Sequence, residues 1–274
     1  MGTDNSSRTS PAASTPSVDA ADDLAPSREA ASISVENLTK EFDADHGREL
    51  VFEDVSFDID PGDFVSLIGK SGSGKSTMLN ILSGILVPTE GEIHYEREDG
   101  SSDVSIGHVF QDPRLLPWDT LVQNIEYVHP NDPDYSRELA ERYLDMVGLS
   151  EHYDKYPTQL SGGQRQRVGI ARALSIDPEV LLMDECFSNL DEITAASLRE
   201  ELTELWSELN KTVFFVTHDI TEAIELSNRI LMIGDGRIYG DFEVDLDRPR
   251  TVDSEDFLRV RQRAIDLFHS IEDE

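Results

Sequence analysis

Gly69-Lys70-Ser71-Gly72-Ser73-Gly74-Lys75-Ser76-Thr77 lies between the apolar run Phe64–Ile68 and the helix-patterned Met78, Leu79, Ile81 and Leu82. This is the spacing of a phosphate-binding loop, in the strand–loop–helix context such a loop needs. Its glycines let backbone N–H groups converge on phosphate oxygens, at a helix N-terminus that already favours anions. Lys75 would reach the β- and γ-phosphates of a nucleotide, and the Ser76 hydroxyl would ligate Mg²⁺. All nine residues, Gly69 to Thr77, are candidate nucleotide-binding positions.

Working outward, further short apolar runs recur at Val104–Phe110, Val180–Met183, Val213–Thr217 and Ile230–Ile233, and Ile33-Ser34-Val35 begins an alternating strand pattern. Continuous Val/Ile/Leu/Phe runs suit strands covered on both faces, which makes the fold α/β. Leu198, Leu202, Leu205 and Leu209 form one apolar stripe on an intervening helix. Residues 113–160 offer helical patterns without a good strand. One helix there is expected to start at Asp134, turn Leu139, Tyr143, Leu144 and Val147 inward and stop at Gly148.

The run Val180-Leu181-Leu182-Met183 ends in Asp184-Glu185. Two carboxylates at the carboxyl end of a buried strand stand where α/β sheets bind ligands. Asp184 suits Mg²⁺, and Glu185 suits polarising an attacking water as general base. By themselves, an apolar run and two acids describe a strand entering a solvated turn; the phosphate loop upstream gives them meaning.

A third segment, Leu160-Ser161-Gly162-Gly163-Gln164, opens the helix Arg165–Leu174 and forms a second anion-favouring N-terminus, or simply an N-cap at Ser161. With the phosphate loop and Asp184-Glu185, it resembles the ATPase subunit of ATP-binding-cassette (ABC) transporters. The resemblance covers about residues 33–245. It implies a RecA-like P-loop NTPase core at 32–112 and 165–243, with an antiparallel β subdomain. It also implies a helical signature subdomain inserted at 113–164. ATP and Mg²⁺ are the implied ligands.

The family's adenine-stacking aromatic falls at Phe42. Its glutamine linking the Mg²⁺ site to the helical subdomain falls at Gln111, and its signature at Leu160–Gln164. The loop contacting the opposite monomer is Ser188-Asn189-Leu190-Asp191, and the γ-phosphate-sensing histidine is His218. Apart from the family, Phe42 reads as core, His218 as a satisfied structural histidine, and Gln111 as nothing in particular. The resemblance implies catalytic roles for Glu185, His218, Lys75 and Gln111. Ser76, Gln111 and Asp184 would surround the metal. In an ATP-closed homodimer, Ser161, Gly162, Gly163 and Gln164 would cover the nucleotide of the partner subunit.

Cys186, Asn189 and Lys70 depart from residues common in the family without removing a chemical group. Cys186 is expected to be a small packing residue, not a reactive thiol. Leu115-Leu116-Pro117-Trp118 after the glutamine, with Arg248-Pro249-Arg250, resembles the nitrate, sulfonate and taurine importer group. That group implies an integral membrane permease as partner, an extracytoplasmic solute-binding protein acting indirectly, and a place on the cytoplasmic face of the membrane. Leu115 is expected in the subdomain core. Trp118, between Pro117 and an N-cap at Asp119, is expected on the surface. Rival readings are soluble ABC ATPases acting on nucleic acid or ribosomes, or in cofactor assembly.

The tail 244–274 is too short for another domain. Its Phe257, Val260, Ala264, Leu267, Phe268 and Ile271 suit one amphipathic helix packed on the core. Residues 1–31, with six Ser, three Thr, three Pro and seven Ala, read as a disordered leader. Met1-Gly2 with Ser6 fits a loose myristoylation pattern that a Ser-rich leader matches by chance. Over 274 residues, 23 basic against 56 acidic side chains leave a formal charge of −33, spread along the chain. Such a protein is not expected to hold free nucleic acid, and the distribution suits a halophile's surface. A single cysteine excludes an intrachain disulfide framework, and no apolar run is long enough to span a bilayer.

Overall fold

Strand β3 (Phe64–Ile68), which feeds the phosphate loop, is buried at every position. It sits inside a sheet with β5 (Ile106–Val109), β6 (Val180–Asp184), β7 (Thr212–Thr217), β8 (Arg229–Gly234) and β9 (Arg237–Glu243). The order is β5-β6-β7-β3-β8-β9, parallel except for the antiparallel edge strand β9. The structure is a computed structural model and describes residues 28–44, 47–130, 132–133 and 135–269. The leader through residue 27 with its Met1-Gly2-Ser6 pattern, the expected helix start Asp134, and Ile271 lie outside the described residues.

A second sheet, β2-β1-β4, is antiparallel and built from β1 (Ala31–Ala44), β2 (Gly47–Ile59) and β4 (Glu90–Arg97). Helix α1 (Lys75–Leu82) is clamped between the two sheets. Its Met78, Leu79, Ile81 and Leu82 join Ile33, Leu38 and Phe52 of the antiparallel sheet and Val65, Leu182 and Phe214 of the parallel one. Burying each such side chain is worth about 1.5–3 kcal/mol, so the helix behind the phosphate loop is anchored on both sides.

The opposite face of the parallel sheet carries α2 (Leu121–Glu126), α3 (Arg137–Met146), α4 (Gly162–Leu174) and α5 (Glu192–Leu209) around Phe64, Met183 and Phe215. Helix α4 runs unbroken across the boundary expected between residues 164 and 165, contacting α2 and α3 as well as β5. Helices α6 (Ile220–Leu226) and α7 (Glu255–His269) cover the β8 end of the sheet. In α7, Phe257 and Ala264 are buried, and Val260, Leu267 and Phe268 pack beside them.

Several boundaries differ from those expected. Strand β1 begins at Ala31, ahead of Ile33, because the chain is tied down there. The Thr212 hydroxyl donates to the Ala31 carbonyl (2.6 Å), Lys211 Nζ to the Arg28 carbonyl (2.8 Å), and the Arg28 amide to Asp177 (2.9 Å). The run Val104–Phe110 is strand only over Ile106–Val109. The Ser105 amide is taken by the Glu179 carboxylate and the Phe110 carbonyl by Gln166. Helix α3 starts at Arg137, capped by Ser136, and ends in a left-handed Gly148 with Leu149 N–H on the Leu144 carbonyl, as a Schellman ending requires. The N-cap of α2 is Thr120, not Asp119, because Thr120 and Gln123 cap each other reciprocally.

Candidate active site

The phosphate loop turns at the C-terminal end of β3 and hands over to α1 at Gly74, which is left-handed (φ 93°). A Cβ at Gly74 would stand 2.7 Å from Val51, and one at Gly69 2.4 Å from the Ile233 carbonyl oxygen, so both positions require glycine. No side chain caps α1 and no acid sits in its first turn, leaving its N-terminus to an anion. The Ser73 hydroxyl is buried in the loop without a hydrogen-bond partner. These features fit a bound polyphosphate. A cavity of about 660 Å³ opens on the loop, lined by Lys70, Ser71, Gly72, Ser73, Val51 and the Ile233–Gly236 turn. Phe268 of α7 forms part of its wall, a contribution that the helical spacing of the tail could not reveal.

Lys75 is folded back over the loop. Its Nζ donates to the carbonyls of Gly69 (2.9 Å) and Lys70 (3.1 Å) and lies 3.7 Å from Glu185 Oε1. Burial lowers its pKa, with Glu185 and then Asp184 opposing the shift. Ser76 Oγ donates to Asp184 Oδ1 at 3.2 Å. Burial raises the Asp184 pKa, against the Ser76 hydrogen bond. A hydroxyl beside a carboxylate suits Mg²⁺, which takes few protein ligands and completes its shell with phosphate oxygens and water. Among the described residues, no group of three or more His, Cys, Asp or Glu could hold a metal.

Glu185 adopts a left-handed backbone (φ 37°), rare for a residue with a Cβ, and its amide donates to the Val216 carbonyl (2.8 Å). The turn aims its carboxylate between two partners, Lys75 and His218, whose Nδ1 lies 3.2 Å from Oε2. His218 follows β7, next to β6 in the sheet, which is how two residues far apart in sequence meet. Gln111, after β5, donates through Nε2 to Ser188 Oγ (3.0 Å), and Ser188 Oγ donates to the Glu185 carbonyl (2.8 Å). Asn189 Nδ2 reaches the Gln111 carbonyl at 3.4 Å. The link through Ser188 is one that sequence spacing did not disclose.

The signature residues lie elsewhere. Ser161 and Gln164 form a reciprocal capping box at the start of α4, and Gln164 Nε2 also meets His152 Nε2 (3.1 Å). A Cβ on Gly162 would meet Leu190 and one on Gly163 would meet Thr194, so these glycines sit against the loop before α5 and that helix's first turn. The elements that α4 contacts most, α2, α3, α5 and β5, carry no phosphate-loop residue. Phe42 stands exposed near the end of β1, with Lys40 Nζ 4.7 Å above its ring. Trp118 is 70% exposed, whereas Leu115 packs into the helical-side core. Cys186 is buried, and burial holds its thiol pKa well above the ordinary value, as expected of a packing residue.

The family profile described as ABC transporter matches residues 52–188, from β2 through the phosphate loop to the loop after Glu185. The chain belongs to the ABC transporter family. It is an ATPase of that family, with a P-loop NTPase fold. An aliphatic sulfonates import ATP-binding protein of Bacillus cereus is 39% identical over 239 residues, covering 86% of this chain and 95% of the relative. A nitrate import ATP-binding protein of Synechococcus elongatus is 40% identical over 246 residues, covering 84% and 89%. A solved ATP-binding cassette, in a dimeric post-hydrolysis state bound to ADP and Pi, superposes with a TM-score of 0.69 at 34% identity. That match covers 78% of this chain and all of the cassette. Among the described residues, no helix of this ABC ATPase is long and apolar enough to cross a membrane.

Proposed function

We propose that this chain is the ATP-hydrolysing subunit of an importer for a small anionic solute of the nitrate, sulfonate or bicarbonate kind. It would work as a nucleotide-sandwich homodimer at the cytoplasmic face of the membrane, held there by an integral permease and served indirectly by an extracytoplasmic solute-binding protein. The relatives named above, and a bicarbonate transport ATP-binding protein of Synechocystis at 37% identity, support the importer class. The acid-rich surface, at −33, supports operation at high salt.

The observation that carries the catalytic reading is the Glu185 carboxylate, held 3.7 Å from Lys75 and 3.2 Å from His218 above the phosphate loop. In this reading ATP lies over α1, with its phosphates on the N–H groups of Gly69–Thr77 and its base against Phe42. Lys75 leaves the Gly69 and Lys70 carbonyls for the β- and γ-phosphates. Ser76, Asp184 and Gln111 would hold Mg²⁺, which would supply charge neutralisation for the phosphates. Glu185 takes the proton of the attacking water and orients it in line with the γ-phosphorus. As the bond from the γ-phosphorus to the β–γ bridging oxygen breaks and ADP leaves, His218, also in contact with Glu185, steadies that carboxylate and the charge developing on the γ-phosphoryl oxygens.

Ser161, Gly162 and Gly163 complete the site from the second subunit, where the α4 N-terminus presents its dipole to the γ-phosphate. Two positive helix ends repel without the polyanion between them, so ATP closes the dimer and hydrolysis releases it. The test is purification of the tagged chain from detergent-extracted membranes, followed by ATP-driven uptake of nitrate, alkanesulfonate and bicarbonate into vesicles containing the recovered complex. Co-purification of a multi-spanning permease and uptake of one of these anions is the expected result. A wholly soluble ATPase without an integral membrane partner would point instead to cofactor assembly or ribosome work.

A further inference from the structure

Arg199 lies inside α5 with only 5% of its surface exposed, one of a few buried charges in an acid-rich chain. A buried guanidinium needs partners, and this one has carboxylates on two helices. Nη2 is 2.8 Å from Glu192 at the start of α5, and Nη1 is 3.6 Å from Glu222 of α6. Nε is 2.6 Å from Glu225, one turn further along α6. Burial raises the pKa of both Glu222 and Glu225, opposed by the Arg199 charge. Such clusters are poor sources of stability, since apolar replacements of similar volume often do as well. What this one does is join two catalytic segments.

On one side, Glu222 Oε2 accepts from the buried Thr217 hydroxyl (2.6 Å), and Thr217 Oγ1 accepts the Asp219 amide (3.0 Å). Asp219 then caps α6 through the Thr221 and Glu222 amides. Both neighbours of His218 are thereby fixed. On the other side, the Arg199 guanidinium lies 6.0 Å from the centre of the Phe187 ring, two residues after Glu185. That ring meets Phe215 of β7 edge-on at 5.6 Å. Glu192 closes the same segment at its far end.

We propose that Arg199, acting through Glu222 and Thr217, is a positioning residue for hydrolysis that locks the Glu185–Asp191 segment to the segment carrying His218. This rests on the catalytic reading of Glu185 and His218 given above. The lock keeps the Glu185 carboxylate in register with the imidazole while the loop that faces the second subunit is pushed during closure. Because the ion pairs of Arg199 and the hydrogen bonds of Glu222 and Thr217 described above all run to α5, α6 and the Thr217–Asp219 turn, loosening the lock should misplace the base without weakening ATP capture.

The experiment is steady-state ATPase kinetics on the full chain for Arg199→Met, Arg199→Lys, Glu222→Gln and Thr217→Val, with Glu185→Gln alongside. We expect kcat to fall about ten-fold or more, since small misplacement of catalytic groups is costly. KM for ATP should stay within about two-fold, the signature of an interaction felt only in the transition state. Arg199→Lys, which restores a charge without the planar fork, should recover part of the rate. Folded variants with normal kcat, or with KM rising in step as kcat falls, overturn the proposal. If Arg199→Met does not fold, Glu222→Gln decides, because it keeps the volume and an acceptor for Thr217. A fully active Glu185→Gln sinks the reading of Glu185 itself. An inactive Glu185→Gln beside a normal Glu222→Gln sinks the positioning role alone.

Discussion

Glu185→Gln preserves the shape of the side chain and its hydrogen-bonding reach but removes a charge and a base, and the site geometry sets opposite effects on binding and turnover. The Glu185 carboxylate lies 3.7 Å from Lys75 Nζ, where it offsets the burial that lowers the lysine's pKa. Unit charges at about 4 Å interact by about 4 kcal/mol at an effective dielectric constant near 20. The glutamate side chain is 20% exposed, so solvent and salt reduce this to about 1–2 kcal/mol. In the proposed ATP complex that charge would repel the γ-phosphate and compete with it for Lys75. Its loss should tighten ATP binding by about five- to thirty-fold. Loss of a general base costs about 10²- to 10⁴-fold in turnover, or about 3–5 kcal/mol of transition-state free energy. Phosphate release gives kcat, calorimetric titration gives Kd, and light scattering follows the ATP-held dimer, which should persist in the variant. Normal turnover, or ATP binding weaker than in the parent chain, would refute the placement of Glu185 between Lys75 and the γ-phosphate.

If the exposed indole of Trp118, 70% accessible in the segment after Gln111, docks the proposed permease, Trp118→Ala should weaken permease pull-down and abolish uptake while leaving ATPase activity of the isolated chain nearly unchanged; lost ATPase activity with intact pull-down would contradict that docking role. The melting temperature should rise between low and molar KCl by more than in a near-neutral homologue, since salt screens the self-repulsion of a −33 chain; an equal or smaller rise removes the support for a halophilic surface. Cys186, the single cysteine, should resist alkylation in the native protein at neutral pH and react fully in denaturant, because burial raises its thiol pKa and blocks access. Rapid native labelling would show that the loop after Glu185 opens.

Much of this molecule is written in short-range chemistry. The strand Phe64–Ile68, the glycine-bearing loop and the apolar face of α1 are contiguous in sequence, so their fold class could be read without knowing any distant contact. The Ser161 N-cap was equally local, and the Thr120–Gln123 reciprocal cap carried a sequence signal that outweighs Asp119 because it satisfies two backbone groups at once. The parallel sheet was legible as a set of apolar runs, but edge strand β9, half-exposed and polar, left no comparable run.

What tertiary structure alone decided is how the chemistry converges. Glu185 meets His218 because β6 and β7 are neighbours in the sheet, and meets Lys75 because a left-handed turn redirects the chain at the strand end. The Gln111–Ser188 link, the Phe268 wall of the cavity at the phosphate loop and the Arg199 contacts with Glu222 and Glu225 join residues whose sequence separation carries no periodic or compositional trace. The physical reason is range. Backbone preference and amphipathic period act over a few residues and can be read in order. The contact of one side chain with another across a sheet depends on strand order and twist, which exist only once the whole core has assembled.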